Sequence, residues 1–309
     1  MALMALTGQR PVLAGGAPQG FDYRLTPREL APGVHVLTGT TEDVSARNGG
    51  NIVNTGFLVG KTGIVVIDTG PSRRYGEQML AAIRRVSPLP VVLTLNTHHH
   101  PDHFLGNQAF PADTLAALPD TVAGIRDEGE TFNDNLYRLA GDWMRGTEVV
   151  APRQHVTPGR RMVGGRDIEL RALSGHTGAD LVVIDHASGV VFAGDLLFHD
   201  RTPTTPHADI ARWLASLAEL ETLPARLWVP GHGEPVPDLS AHRQTADYLN
   251  WLAQRVTDGA AAGLDMTELL AQPVPERFRG LAEIDTEYRR SVMHLFPAAE
   301  QAALERRAP

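Results

Sequence analysis

The sequence predicts an α/β layered fold, and three observations carry the prediction. The run GIVVIDTG at 63–70 is apolar and β-branched, as expected of a strand buried on both faces. A helical stretch follows it, and a second such strand, VVLTLN at 91–96, follows the helix. The polar segment THHHPDH at 97–103 then falls at a strand's carboxyl end, where layered α/β folds gather their sites.

Taken in order, residues 1–27 read as a flexible Gly- and Pro-rich leader, and GVHVLTG and NIVNTGFLVG as glycine-bounded strands. In the helix after Gly70, Tyr75, Met79, Ala82, Ile83 and Val86 fall at helical spacing, and Ser-Pro-Leu-Pro stops it. Residues 112–148 turn helical, with Leu115, Leu118, Ile125, Leu136, Leu139, Trp143 and Met144 as apolar positions. This stretch reads first as core, and as a minority reading it forms a lid over a site. Strands resume at DIELRAL, where Ile168, Leu170 and Ala172 alternate with charged residues, then at DLVVID and GVVFAGD. Asp209 is placed to cap a helix carrying Trp213, Leu214, Leu217 and Leu220. RLWVPGHG is a last strand and loop, and helices occupy the remainder. The expected division is a leader at 1–27, a catalytic domain at 28–238 and a helical C-terminal extension at 239–309 packed on it.

Composition narrows the function. A formal net charge of -8 and scattered arginine pairs give no attraction to phosphate backbones, so a nucleic-acid partner is not expected. No stretch approaches the roughly 20 apolar residues of a membrane span. With no cysteine, any metal site must be built from nitrogen and oxygen. The expected partner is a small-molecule substrate, and oligomeric state is not legible.

THHHPDH crowds four histidines and an aspartate into seven residues, a choice that suits a borderline metal and not a packed apolar core. His176 lies beyond a strand, Asp195 ends VVFAGD, and His232 ends WVPGH. With His98, His100, Asp102 and His103 they make seven candidate ligands where strands give way to loops. His99 sits between two of these, and in an extended segment its side chain points the other way, toward solvent or a structural hydrogen bond. Asp68 is the best candidate to fix a ligand's tautomer, with Thr97, Thr177 and Asn107 behind it. His199 and His207 are possible pocket residues. Asp68-Thr-Gly has no second copy, so an aspartic-protease pair is not read.

HHHPDH fits the H-x-H-x-D-H signature of the metallo-β-lactamase fold superfamily, and with VVIDTG and the later His, Asp and His the resemblance covers about residues 33–235. It implies an αββα sandwich of two mixed sheets flanked by helices. It places His98, His100 and His176 on one metal, Asp102, His103 and His232 on a second, and Asp195 between them. NGGNIVNTGFLVG, NTHHHPDHFLGNQAF, FAGDLLF and VPGHG most resemble the quinoprotein relay system zinc metallohydrolases. That resemblance implies a periplasmic address, whereas the leader's missing basic segment fits a cytoplasmic one, and the residues leave both open.

The chemistry the resemblance implies is hydrolysis. Two Zn2+ roughly 3.5–4 Å apart lower the pKa of a shared water and hold it as a hydroxide facing a carbonyl. Asp102 would orient it or accept its proton. The expected function is therefore zinc-dependent hydrolysis of a small ester, thioester, lactone or lactam. Alternatives are β-lactam hydrolysis as main or side activity, and a persulfide dioxygenase holding one Fe on His98, His176 and Asp195.

Overall fold

Two β-sheets lie face to face between helices in the computed structural model, which describes residues 21–307. The first sheet runs β1 (Arg28–Ala31), β2 (Val34–Leu37), β3 (Thr55–Val59), β4 (Ile64–Ile67), β5 (Val91–Leu95), β6 (Leu115–Ala117) and β7 (Gln154–His155), side by side in that order. Pairing is antiparallel as far as β4 and parallel from β4 onward. The second sheet contains β8 (Gly159–Val163), β9 (Arg166–Leu173), β10 (Asp180–Asp185), β11 (Val190–Phe198) and β12 (Leu227–His232), in the order β12-β11-β10-β9-β8. Only the β11–β12 pair is parallel.

Parallel neighbours need a crossover, and helices supply it. α1 (Arg73–Val86) joins β4 to β5, started by Ser72, whose side chain accepts from the Tyr75 N–H. The short α2 (Pro101–Phe104) and the long α3 (Pro119–Ala140) follow β5 and β6. α4 (Ile210–Glu221) joins β11 to β12, and Asp209 caps it as expected. The chain ends in α5 (Ser240–Ala262), α6 (Met266–Ala271) and α7 (Ile284–Arg307).

The layers follow from which side chains meet. Val34, Val36, Leu58, Val65 and Leu95 of the first sheet pack against Ile168, Leu170, Leu181, Val183 and Phe192 of the second. Phe57, Ile64 and Val66 face outward beneath α1, through Tyr75, Met79, Ala82 and Ile83. The far side of the second sheet, through Val182, Val191 and Ala193, is covered by α4, α5, α6 and α7. The result is an αββα sandwich with a helical C-terminal region.

Three expectations are corrected in detail. Residues 112–148 are not wholly helical. Leu115 sits in β6 and Leu118 precedes α3, because this segment completes the parallel ladder beside β5 before Pro119 starts the helix. Ala172 is exposed, unlike Ile168 and Leu170, since a lone methyl group loses little by staying in water. Asp195 does not end its strand. β11 continues to Phe198, and its register against β12 is irregular around Gly194. The leader expected at 1–27 lies outside the described residues up to 20. From there the chain has no regular secondary structure as far as 27, yet Tyr23 and Leu25 are buried against the α1 side. Among the described residues, no helix is long and apolar enough to cross a membrane.

The inter-sheet layer has little slack. A Cβ on Gly56 would stand 2.3 Å from the Phe192 ring, so bare backbone is what lets the sheets close there. Phe192→Ala should therefore cost about 3–5 kcal/mol. A lower urea midpoint at unchanged slope is the expected reading.

Candidate metal centre

All seven candidate ligands converge at one edge of the sandwich. His98 and His100 come from the loop after β5, Asp102 and His103 from α2, and His176 from the turn between β9 and β10. Asp195 comes from β11 and His232 ends β12. Ligand atoms of His98, His100, His176 and Asp195 lie within 4.8 Å of one another, and so do those of Asp102, His103 and His232. All seven residues are buried.

Asp195 stands between the two groups. Its Oδ2 is 3.3 Å from His176 Nε2, 3.9 Å from His98 Nε2 and 3.2 Å from His232 Nε2, while Oδ1 is 3.1 Å from His103 Nε2. Asp102 Oδ2 is 3.7 Å from His103 Nε2 and 3.4 Å from His232 Nε2. Close backbone approach makes room for this carboxylate. A Cβ on Gly231 would fall 1.8 Å from Asp195 Oδ1, and a Cβ on Gly194, which sits at φ 52°, would stand 3.1 Å from Thr97 Cβ.

The hydrogen bonds on the far side of each ring set its tautomer. Asp68 Oδ2 accepts from His103 Nδ1 at 2.8 Å, leaving Nε2 free to face the cluster. The same carboxylate accepts from the Thr97 N–H and hydroxyl, both at 2.8 Å. With its proton so engaged, Thr97 Oγ1 accepts from His98 Nδ1 at 3.1 Å. His232 Nδ1 donates to the Ile52 carbonyl at 2.8 Å. Arg201 Nη1 also lies 3.0 Å from that nitrogen, but a ring N–H directed at a carbonyl has no lone pair for a guanidinium, so Ile52 decides. His100 is turned the other way. Its Nδ1 faces His176 Nε2 at 2.8 Å and its Nε2 faces His207.

Several functional partners were not legible in sequence. Asp180 accepts from the backbone N–H groups of His176 and Thr177 and from the Thr177 hydroxyl, holding the turn that carries His176. Arg201 is buried beside His232, with Glu287 of α7 as counter-ion at 3.4 Å. Asn107, a weaker candidate, bonds Asn96 and Thr69 and stiffens the loop from behind. His99 is buried under α3 and does not reach solvent as one reading expected. His207 lines a cleft of about 270 Å³ that also exposes His100, Asp102, Asp195 and His232. His199 is not among that lining, and its Nδ1 donates to the Glu234 carbonyl.

The electrostatics describe a donor set made for a cation. Burial and the neighbouring imidazoles hold His98 and His100 well below the ordinary histidine range. Burial pushes His176 down to about 3, so its ring is neutral. Burial works against the charge on Asp195, but His232, His103, His98 and His176 reverse it and hold this carboxyl well below its usual range. His103 shows the opposite balance: burial lowers its pKa, and Asp195, Asp68 and Asp102 together raise it well above normal. A field that strong retains a proton or attracts a metal ion. His98 Nε2, Asp102 Oδ2, His103 Nε2, His176 Nδ1 and Asp195 Oδ1 are all buried without a hydrogen-bond partner. Four of these five are directed into the cluster, and a coordinated cation would satisfy them. The residues therefore fit divalent metal.

A four-layered α/β sandwich with buried imidazoles and carboxylates converging at one edge defines a fold arranged around a candidate metal centre. The chain belongs to the metallo-beta-lactamase superfamily, whose model matches residues 48–232, more than half of its length. It is 22% identical over 279 residues to a linear primary-alkylsulfatase of a Pseudomonas species, covering 75% of this chain and 52% of that one. It is 29% identical over 146 residues to a hydroxyacylglutathione hydrolase of a Cyanothece species, covering 45% and 49%. The chain thus spans about half the length of these two relatives. A solved metallo-beta-lactamase from Pontibacter korlensis superposes with a TM-score of 0.58 at 23% identity, covering 73% of this chain and 99% of that one, a likeness of fold.

Because Gly231 makes room for Asp195, Gly231→Ala should displace that carboxylate. We expect metal affinity, measured by chelator competition, to fall by about 10–100-fold, with near-normal circular dichroism.

Proposed function

We propose that this protein hydrolyses a small ester, thioester, lactone or lactam with two zinc ions. His98, His100 and His176 would hold one ion, Asp102, His103 and His232 the other, and Asp195 would bridge them. The observation that carries this reading is the position of Asp195, within 3.9 Å of four imidazoles drawn from both groups. The two ions, when bound, would supply an activated water and positive charge for the oxyanion.

The chain's own residues do the rest. Asp102, at the cleft floor, orients the nucleophile or takes its proton. Asp68, Thr97 and the Ile52 carbonyl keep three rings in the tautomer that leaves Nε2 available. Phe132, Leu136, Leu139, Val44 and Ile52 give the cleft an apolar wall, which suits an apolar substituent beside the scissile carbonyl. Within the superfamily, the motifs at residues 48–60, 66–70, 96–110, 192–198 and 229–233 support placement beside the quinoprotein relay system metallohydrolases. The catalytic unit would be 28–238, with 239–309 as its extension.

Elemental analysis of the untagged protein tests the centre. About two zinc ions per chain are expected, and one iron per chain would favour persulfide oxidation instead. Asp195→Ala should lose at least about one ion and all measurable turnover across an ester, lactone and lactam panel. Full metal retention in that variant would refute the bridge.

A further inference from the structure

A second group of imidazoles lies just outside the ligand cluster. His207, in the loop after β11, places Nδ1 2.9 Å from His100 Nε2 and Nε2 3.1 Å from Glu128 Oε2. Glu128 belongs to α3, and its Oε1 is 3.5 Å from His99 Nε2. His99, His100 and His207 are close enough to hold an ion of their own. Two observations point elsewhere. Neither His99 nor His207 has a buried polar atom lacking a partner, unlike five atoms of the main cluster. The proton arithmetic also opposes an ion there. If His100 gives the Nδ1 lone pair to a metal, its Nε2 carries the proton and donates to His207 Nδ1. That leaves the His207 proton on Nε2, where it donates to Glu128 and no lone pair remains for a second cation.

We infer that His207 and Glu128 form a hydrogen-bonded relay that positions His100 and latches α3 to the metal centre. The inference rests on the proposed ligand role of His100. His100 Nε2–H donates to His207 Nδ1, and His207 Nε2–H donates to the Glu128 carboxylate. This chain fixes the orientation of His100 and raises the basicity of its ligating nitrogen, as an outer carboxylate does for metal-bound histidine generally. The helix is built to come this close. Gly124 lies one turn before Glu128, and a Cβ there would stand 2.7 Å from the His99 ring. Glycine within a helix is unfavourable relative to alanine, and here it permits α3 to rest on that ring and bring Glu128 over both histidines. Glu128 and His207 are positioning residues, acting through His100.

The test is zinc affinity of the full chain, measured by chelator competition with zinc as the sole added metal, alongside thermal unfolding to verify folding. Glu128→Ala and His207→Ala should each weaken the tighter or the weaker zinc step by about 10–100-fold. Glu128→Gln, which keeps an acceptor but not the charge, should recover part of the loss. The double variant should lose little more than either single one, because both act along one chain. Cobalt-substituted protein should show a shifted visible spectrum in the same variants. Affinities within about twofold of the parent, or fully additive losses, would overturn the relay. So would a third zinc equivalent bound by the parent and missing from Glu128→Ala. A parent that binds no zinc would instead refute the metal centre itself, and the relay with it.

Discussion

The candidate centre depends on one buried carboxylate that faces no cleft. Asp68 directly follows β4 at φ 56°, a left-handed conformation uncommon for a residue with a Cβ. The turn directs its carboxylate sideways, across the sheet, to the start of the histidine loop. There it accepts from the Thr97 backbone, the Thr97 hydroxyl and His103, so a single side chain sets the path of the loop and the tautomer of two rings. Replacement by a neutral amide would keep the shape but offer an N–H where a donor already stands.

Two sheets that meet only through apolar side chains could slide, and this edge prevents it with polar groups. Asn54 donates to the Pro230 and Gly233 carbonyls, and its own N–H donates to Gly231, tying the first sheet to the strand that carries His232. Candidate ligands from both sheets are thereby held in common register. The glycines at 194 and 231 belong to the same solution, since they let the backbones approach until Asp195 fits between them.

Much of this was legible in the sequence because the chemistry is local. THHHPDH supplies four candidate ligands within the six residues 98–103, and the strand before it has an unmistakable apolar pattern. His176, Asp195 and His232 were identifiable because glycine and strand residues flank each of them. The partners that come from afar were silent. Glu128 is one carboxylate among several on a charged helix face, and only the packing at Gly124 distinguishes it. Arg201 and Asp180 resemble ordinary loop residues until the fold buries them. The three-residue strand Leu115–Ala117 was hidden for a related reason: a single buried turn's length of apolar residues has no period to read.

The contact between Arg201 and Glu287 gives the C-terminal helices a role beyond cover. Glu287 comes from the last helix, and it is the counter-ion of a guanidinium enclosed beside His232. A charge so enclosed cannot be abandoned by its partner without a large penalty. The last helix therefore cannot peel away while the edge of the sandwich stays intact, and damage to the chain's tail would be felt where the imidazoles gather.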